Sequence, residues 1–151
     1  MSELDDAFTG TKPVADALAF DEAALDLWMR EHADGYAGPL SVNQFRGGQS
    51  NPTYKLDTPG QSYVLRRKPP GVLLPSAHAV DREFRVMKAL GGQGFPSPEM
   101  VGLCENPDVI GTAFYVMEFV EGRIFWDPLL PDLSNAERAE IYDASNATLA
   151  Q

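Results

Sequence analysis

Residues 40–68, LSVNQFRGGQSNPTYKLDTPGQSYVLRRK, carry short apolar/polar alternations split by two turn signals, Gly47-Gly48 and Asp57-Thr58-Pro59-Gly60. Period-two alternation marks a strand with one buried face, and clusters of Gly, Pro and Asp are where such strands reverse. The stretch therefore reads as three antiparallel strands, about 40–46, 53–57 and 61–67. In the third, Val64, Arg66 and Lys68 share one face, and Tyr63, Leu65 and Arg67 share the other.

Upstream, Asp21 is placed to cap a helix from Glu22 to about Ala33, with Leu25, Trp28, Met29 and His32 on one side and Phe20 positioned to staple onto Leu25. Residues 1–20 read as a loosely held acidic arm broken by Gly10 and Pro13. Downstream, a proline-rich link leads to a second helix, about 79–90, whose stripe is Val80, Phe84, Met87 and Leu90. Two further strands follow, about 99–104 and 113–119. Ser134 and Glu137 then form a capping box that opens a third helix lined by Ile141, Ala144 and Ala147. Its pattern is still running at Gln151, so the chain is expected to be the front part of a longer protein. The fold class is α+β, built on a five-stranded antiparallel sheet with one helix packed on it, an N-terminal helix and the start of a helical region.

The 151 residues are 44% apolar and 23% charged, a globular composition long enough to bury a sizeable core. A single cysteine, Cys104, excludes an internal disulfide and makes a reducing cytoplasm the default location. No signal peptide and no membrane-length apolar run is present. The net charge of -10 argues against nucleic acid as a partner. It divides unevenly: nine acids and two bases in residues 1–39, four and eight in 40–104, nine and two in 105–151. A basic middle between acidic flanks suits one compact anionic ligand, though clustering on a solvated face gives the same counts.

Four stretches could carry chemistry. In Gly47-Gly48-Gln49-Ser50-Asn51, glycines let backbone N–H groups approach a phosphate and the polar side chains add hydrogen bonds; the same residues also suit a plain hairpin turn. Arg66 ends an apolar strand beside that turn, either facing a phosphate or as an ordinary basic strand end. Glu83 lies next to the apolar stripe of the second helix and can turn toward the sheet. An inward acid needs a partner, and Arg66 is the economical one: opposite charges about 4 Å apart attract by roughly 4 kcal/mol at an effective dielectric of 20, before desolvation. Residues 114–122, FYVMEFVEG, form a strand running into a glycine-ended link that could offer backbone polar groups to a planar base, or is simply a buried strand. Cysteine-based hydrolysis and zinc binding are poorer readings, since His32, His78 and Cys104 are scattered.

Taken in order, the glycine hairpin, strand cation, helix acid and strand-to-link segment resemble the small lobe of the protein-kinase-like fold. FRGGQSNPTYKL, YVLRRKPPG, SAHAVDREFRVMKAL, FPSPEMVGLCE, VIGTAFYVMEFVEGR and SNAERAEIYDA are similar to the aminoglycoside phosphotransferase and choline kinase superfamily. Within it they resemble the branch that includes the kinase-like domain ahead of some acyl-CoA dehydrogenase domains. The resemblance implies a small lobe over 21–117, a hinge over 118–123 and the start of a truncated large lobe over 124–151. It implies an ATP- and magnesium-dependent transfer of the γ-phosphoryl group to a small-molecule hydroxyl. Gly47, Gly48, Gln49, Ser50 and Asn51 would cover the nucleotide. Arg66 would meet the α- and β-phosphates with Glu83 as its partner, the Glu118 carbonyl and the Val120 N–H would hold the adenine, and Val64 and Met117 would contact it. The superfamily's cation is typically Lys, and its His-Gly-Asp catalytic loop and metal-binding Asp, which lie in the large lobe, do not occur in these residues. The resemblance therefore implies that this chain clamps the nucleotide without catalysing alone. A non-catalytic kinase-like interaction module is the alternative.

Overall fold

A computed structural model describes residues 7–47, 50–74 and 76–151. Its centre is a fully antiparallel sheet of six strands: β1 (Thr11–Lys12), β2 (Ser41–Phe45), β3 (Thr53–Asp57), β4 (Ser62–Arg67), β5 (Met100–Cys104) and β6 (Phe114–Glu118). The spatial order is β1-β2-β3-β4-β6-β5, so β4 and β6 lie inside the sheet and pair along Tyr63↔Glu118 to Arg67↔Phe114. The α-helices include α1 (Glu22–His32), α2 (Val80–Gly92) and α3 (Asn135–Leu149), and Asp16–Leu18 forms a short 3-10 helix.

The pleat of β4 and β6 divides the core in two. One face presents Tyr63, Leu65, Phe114 and Val116 to Leu25, Trp28 and Met29 of α1. The other presents Tyr115 to Val80 and Phe84 of α2, with Met87 and Met117 packed around them. The stripes land on apolar rows of matching period through Leu25, Trp28 and Met29 of α1 and Val80, Phe84 and Met87 of α2, whereas His32 and Leu90, expected on the same faces, are exposed near the helix ends, where the sheet no longer covers them. The Asp21 carboxylate caps α1 by accepting from the Ala24 N–H at 3.0 Å. At Gly102 the sheet comes so close to α1 that an added Cβ would stand 2.9 Å from the Trp28 ring.

The sheet has one strand more than the sequence suggests. Thr11 and Lys12 pair with Phe45 and Gln44, and the Arg46 N–H donates to the Gly10 carbonyl. The Leu18 carbonyl accepts from the Tyr54 hydroxyl. The segment 10–18, expected to hang as a loose arm, is therefore fastened by backbone groups, which no side-chain pattern announces. In α3 the expected capping box forms: Ser134 Oγ accepts from the Glu137 N–H, and Glu137 accepts from the Ser134 N–H at 2.8 Å. None of its residues is buried. No helix among the described residues is long and apolar enough to cross a membrane.

Candidate nucleotide cleft

The face of β4 that carries Val64 and Arg66 opens into two cavities. The smaller, about 430 Å³, is lined mainly by apolar side chains, among them Val64, Met117, Ile124 and Trp126, and by the strand-to-link segment Glu118-Phe119-Val120. The larger, about 850 Å³, lies between the β2–β3 turn and the N-terminus of α2, and its walls include Ser50, Asn51, His78, Arg82 and Glu83. Arg66 and Met117 line both, so Arg66 stands where a mainly apolar chamber meets one whose walls mix polar and apolar side chains.

Arg66 is held there by α2. Its Nε lies 2.9 Å from Glu83 Oε2. The contact is an ion pair rather than an aligned hydrogen bond, and among the described residues this buried Nε has no hydrogen-bond partner. Glu83 is fixed by two neutral donors as well. The Tyr115 hydroxyl donates to Oε2 at 3.0 Å, and Asn51 Nδ2 donates to Oε1 at 3.2 Å. Burial foremost, then the charge of Glu83 and its hydrogen bond, pushes the Tyr115 hydroxyl well above its ordinary range while Arg66 partly opposes the shift. Tyr115 therefore stays a protonated donor. Asn51, only 3% exposed, also meets the imidazole of His78, whose Nδ1 lies 2.8 Å from Asn51 Oδ1. A line of contacts thus runs from Arg66 through Glu83 and Asn51 to His78.

Gly47, just after β2, borders the smaller cavity. A Cβ there would stand 2.4 Å from Trp126 Cζ2 and 2.5 Å from Cη2, so only the bare α-carbon admits the indole. Phe8 packs on the same indole, with ring centroids 5.4 Å apart.

Of the residues singled out from sequence, Asn51, Arg66 and Glu83 are joined directly, while Gly47, Val64, Met117, Glu118 and Val120 line the smaller cavity and Ser50 the larger. Gly48 and Gln49 lie outside the described residues. Sequence reasoning missed Tyr115, His78 and Trp126. Tyr115 was detectable in principle, because it pairs with Arg66 across β4 and β6 and so shares its face. The other two sit in irregular segments with no periodicity to read.

Chemically, the two chambers suit a planar apolar group in one and an anionic tail in the other, with Arg66 at the junction. ATP has that shape, and the apolar walls of the smaller cavity and the position of Arg66 between the two fit it. Magnesium has no ligand set in the chain as described: among the described residues no group of three or more His, Cys, Asp or Glu could hold a metal ion.

Comparisons with known proteins match this architecture. Residues 41–151 match the family described as the phosphotransferase enzyme family. A protein from Ralstonia eutropha, described provisionally as an aminoglycoside phosphotransferase, shares the fold with a TM-score of 0.74 and 55% identity, over 87% of this chain and 37% of its own. Human acyl-CoA dehydrogenase family member 11 is 49% identical over 95% of this chain and 19% of its own length. Mouse acyl-CoA dehydrogenase family member 10 is 45% identical over 93% of this chain and 13% of its own. The chain thus spans a fifth or less of these curated relatives. The antiparallel sheet, the ion pair between β4 and α2, and the match over 41–151 agree with one another: the chain belongs to the phosphotransferase enzyme family and has its kinase-like fold.

Proposed function

We propose that this chain is the nucleotide-binding part of an ATP-dependent phosphotransferase acting on a small-molecule hydroxyl. The observation that carries the reading is the position of Arg66, ion-paired with Glu83 at the junction of a mainly apolar chamber and one of mixed lining. The adenine occupies the smaller chamber against Val64 and Met117, with the Glu118 carbonyl and Val120 N–H as its polar contacts. Ser50, Asn51 and the glycine turn cover the phosphates. Arg66 bonds the α- and β-phosphates, and Glu83, with its donors Asn51 and Tyr115, holds the guanidinium in one orientation.

The nucleotide supplies the phosphoryl group. The acceptor oxygen forms a bond to the γ-phosphorus as the bond from that phosphorus to the β–γ bridging oxygen breaks, and the hydroxyl proton goes to a carboxylate. That carboxylate and the magnesium ligands belong to the large lobe implied by the resemblance, so this chain binds and orients without catalysing alone. The setting is cytoplasmic.

Titration calorimetry of the protein with MgATP tests the proposal. Binding at one site per chain, competed by MgADP, is the expected result. Absence of binding to any adenine nucleotide would favour a non-catalytic interaction module, which Arg66 in place of the superfamily's Lys also suits.

A further inference from the structure

The Arg66–Glu83 ion pair has little net charge to offer a polyanion, because the acid neutralises the guanidinium it positions. Further positive charge on the larger cavity must come from its other walls, where Arg82 and His78 stand. The environment of His78 fixes its proton. The Glu83 carboxylate can only accept, so the Asn51 atom facing it at 3.2 Å is the amide nitrogen. Asn51 therefore turns its oxygen to His78, and the 2.8 Å contact requires a hydrogen on Nδ1. Nε2 is then the nitrogen left for a ligand, and it donates to an anion only as imidazolium. The backbone presents the ring with φ of +56°, a conformation rare for a side-chain-bearing residue, and Ser76, two residues earlier, has φ of +67°.

Resting on the nucleotide-binding reading, we propose that His78 is a phosphate-binding residue: as an imidazolium anchored by Asn51 it holds the terminal phosphate of the triphosphate in the larger cavity. The charged and titratable groups on the same cavity are Arg66 from β4, Tyr115 from β6, and Arg82 and Glu83 from α2. Three of these five groups, counting His78, are cations in the bound state and only Glu83 is an anion, so it is the arriving phosphate that favours the imidazolium. Binding of the triphosphate therefore takes up a proton.

The test compares MgATP, MgADP and adenosine by calorimetry in two buffers of different ionisation enthalpy, which counts protons. His78→Asn suits the experiment, because Asn tolerates positive φ and cannot become a cation. We expect the wild type to take up a proton with MgATP and none with adenosine. His78→Asn should lose that uptake and weaken MgATP by about tenfold, MgADP by less and adenosine by no more than about twofold, the scale of one charge-assisted hydrogen bond. His32→Asn, at the other histidine, keeps the uptake. Wild-type binding of MgATP with His78→Asn unchanged, or with all three ligands weakened equally, overturns this inference and leaves the nucleotide reading standing. A wild type that binds none of the three overturns that reading first.

Discussion

Arg66 and Arg67 are adjacent in the chain and lead opposite lives: Arg66 is ion-paired with Glu83 in the cleft, whereas Arg67 is sealed on the α1 side of the sheet, 3% exposed. Arg67 donates from Nε to the Tyr54 hydroxyl at 3.1 Å, from Nη1 to the Ile110 carbonyl at 3.1 Å and from Nη2 to the Leu18 carbonyl at 3.0 Å. The pleat of one strand thus separates a cation available to ligands from a cation that ties three distant segments together.

Arg67→Ala is expected to lower stability by about 3 kcal/mol, since it leaves buried carbonyls short of donors and opens a cavity. Urea unfolding followed by circular dichroism checks this. Arg67→Lys should recover only part of the loss, because an ammonium cannot reproduce the three-way fork. A midpoint equal to wild type for Arg67→Ala would contradict the structural role.

Gly47→Ala should displace Trp126, because the new methyl would stand 2.4 Å from the indole. The protein has two tryptophans, and Trp28 is buried against Phe114, so a red shift in emission reports Trp126. The expected result is that shift together with MgATP binding weakened by several-fold, about 1 kcal/mol. An unshifted spectrum would show that the indole does not rest on Gly47.

Asp26 makes a pH prediction. The hydrogen bond from the Tyr36 hydroxyl foremost, then that from Arg30, holds its carboxyl below the ordinary value of 3.8. A folded-state value below the unfolded one gives stability that is present above pH 3.8 and lost as pH falls through the lowered value. Tyr36→Phe should therefore reduce stability above pH 3.8 and make the acid limb of the stability profile shallower. Profiles that superimpose from pH 6 down to about pH 2 would refute the contribution.

Gly102→Ala offers a check on the packing of α1. Its methyl would meet the Trp28 ring at 2.9 Å, and overpacking of this kind costs about 1–3 kcal/mol. The thermal midpoint should fall, and a Trp28→Phe background should soften the loss by freeing space.

Much of the fold is legible from local pattern. Period-two alternation in β2 to β4 and the stripes on α1 and α2 place Leu25, Leu65, Val80 and Phe84 in the core, where they are found. The same two periodicities point Arg66 and Glu83 at one another, as their 2.9 Å contact bears out. What stayed hidden depends on groups far apart in sequence. β1 is two residues long and held by main-chain bonds, so it leaves no alternation to read. Arg67 looks like a surface cation until the carbonyls of Leu18 and Ile110 converge on it. His78 acquires meaning only through Asn51, which the β2–β3 turn brings across to α2.

The most direct measurement is MgATP affinity, by titration calorimetry, for the wild type, Arg66→Ala and Arg85→Ala, the last removing an exposed cation of α2 that pairs with Asp81. The expected outcome is at least about a tenfold loss for Arg66→Ala, the scale of a charge-assisted phosphate contact, and less than about twofold for Arg85→Ala. Equal affinity in wild type and Arg66→Ala would contradict the placement of the triphosphate at the junction of the two chambers.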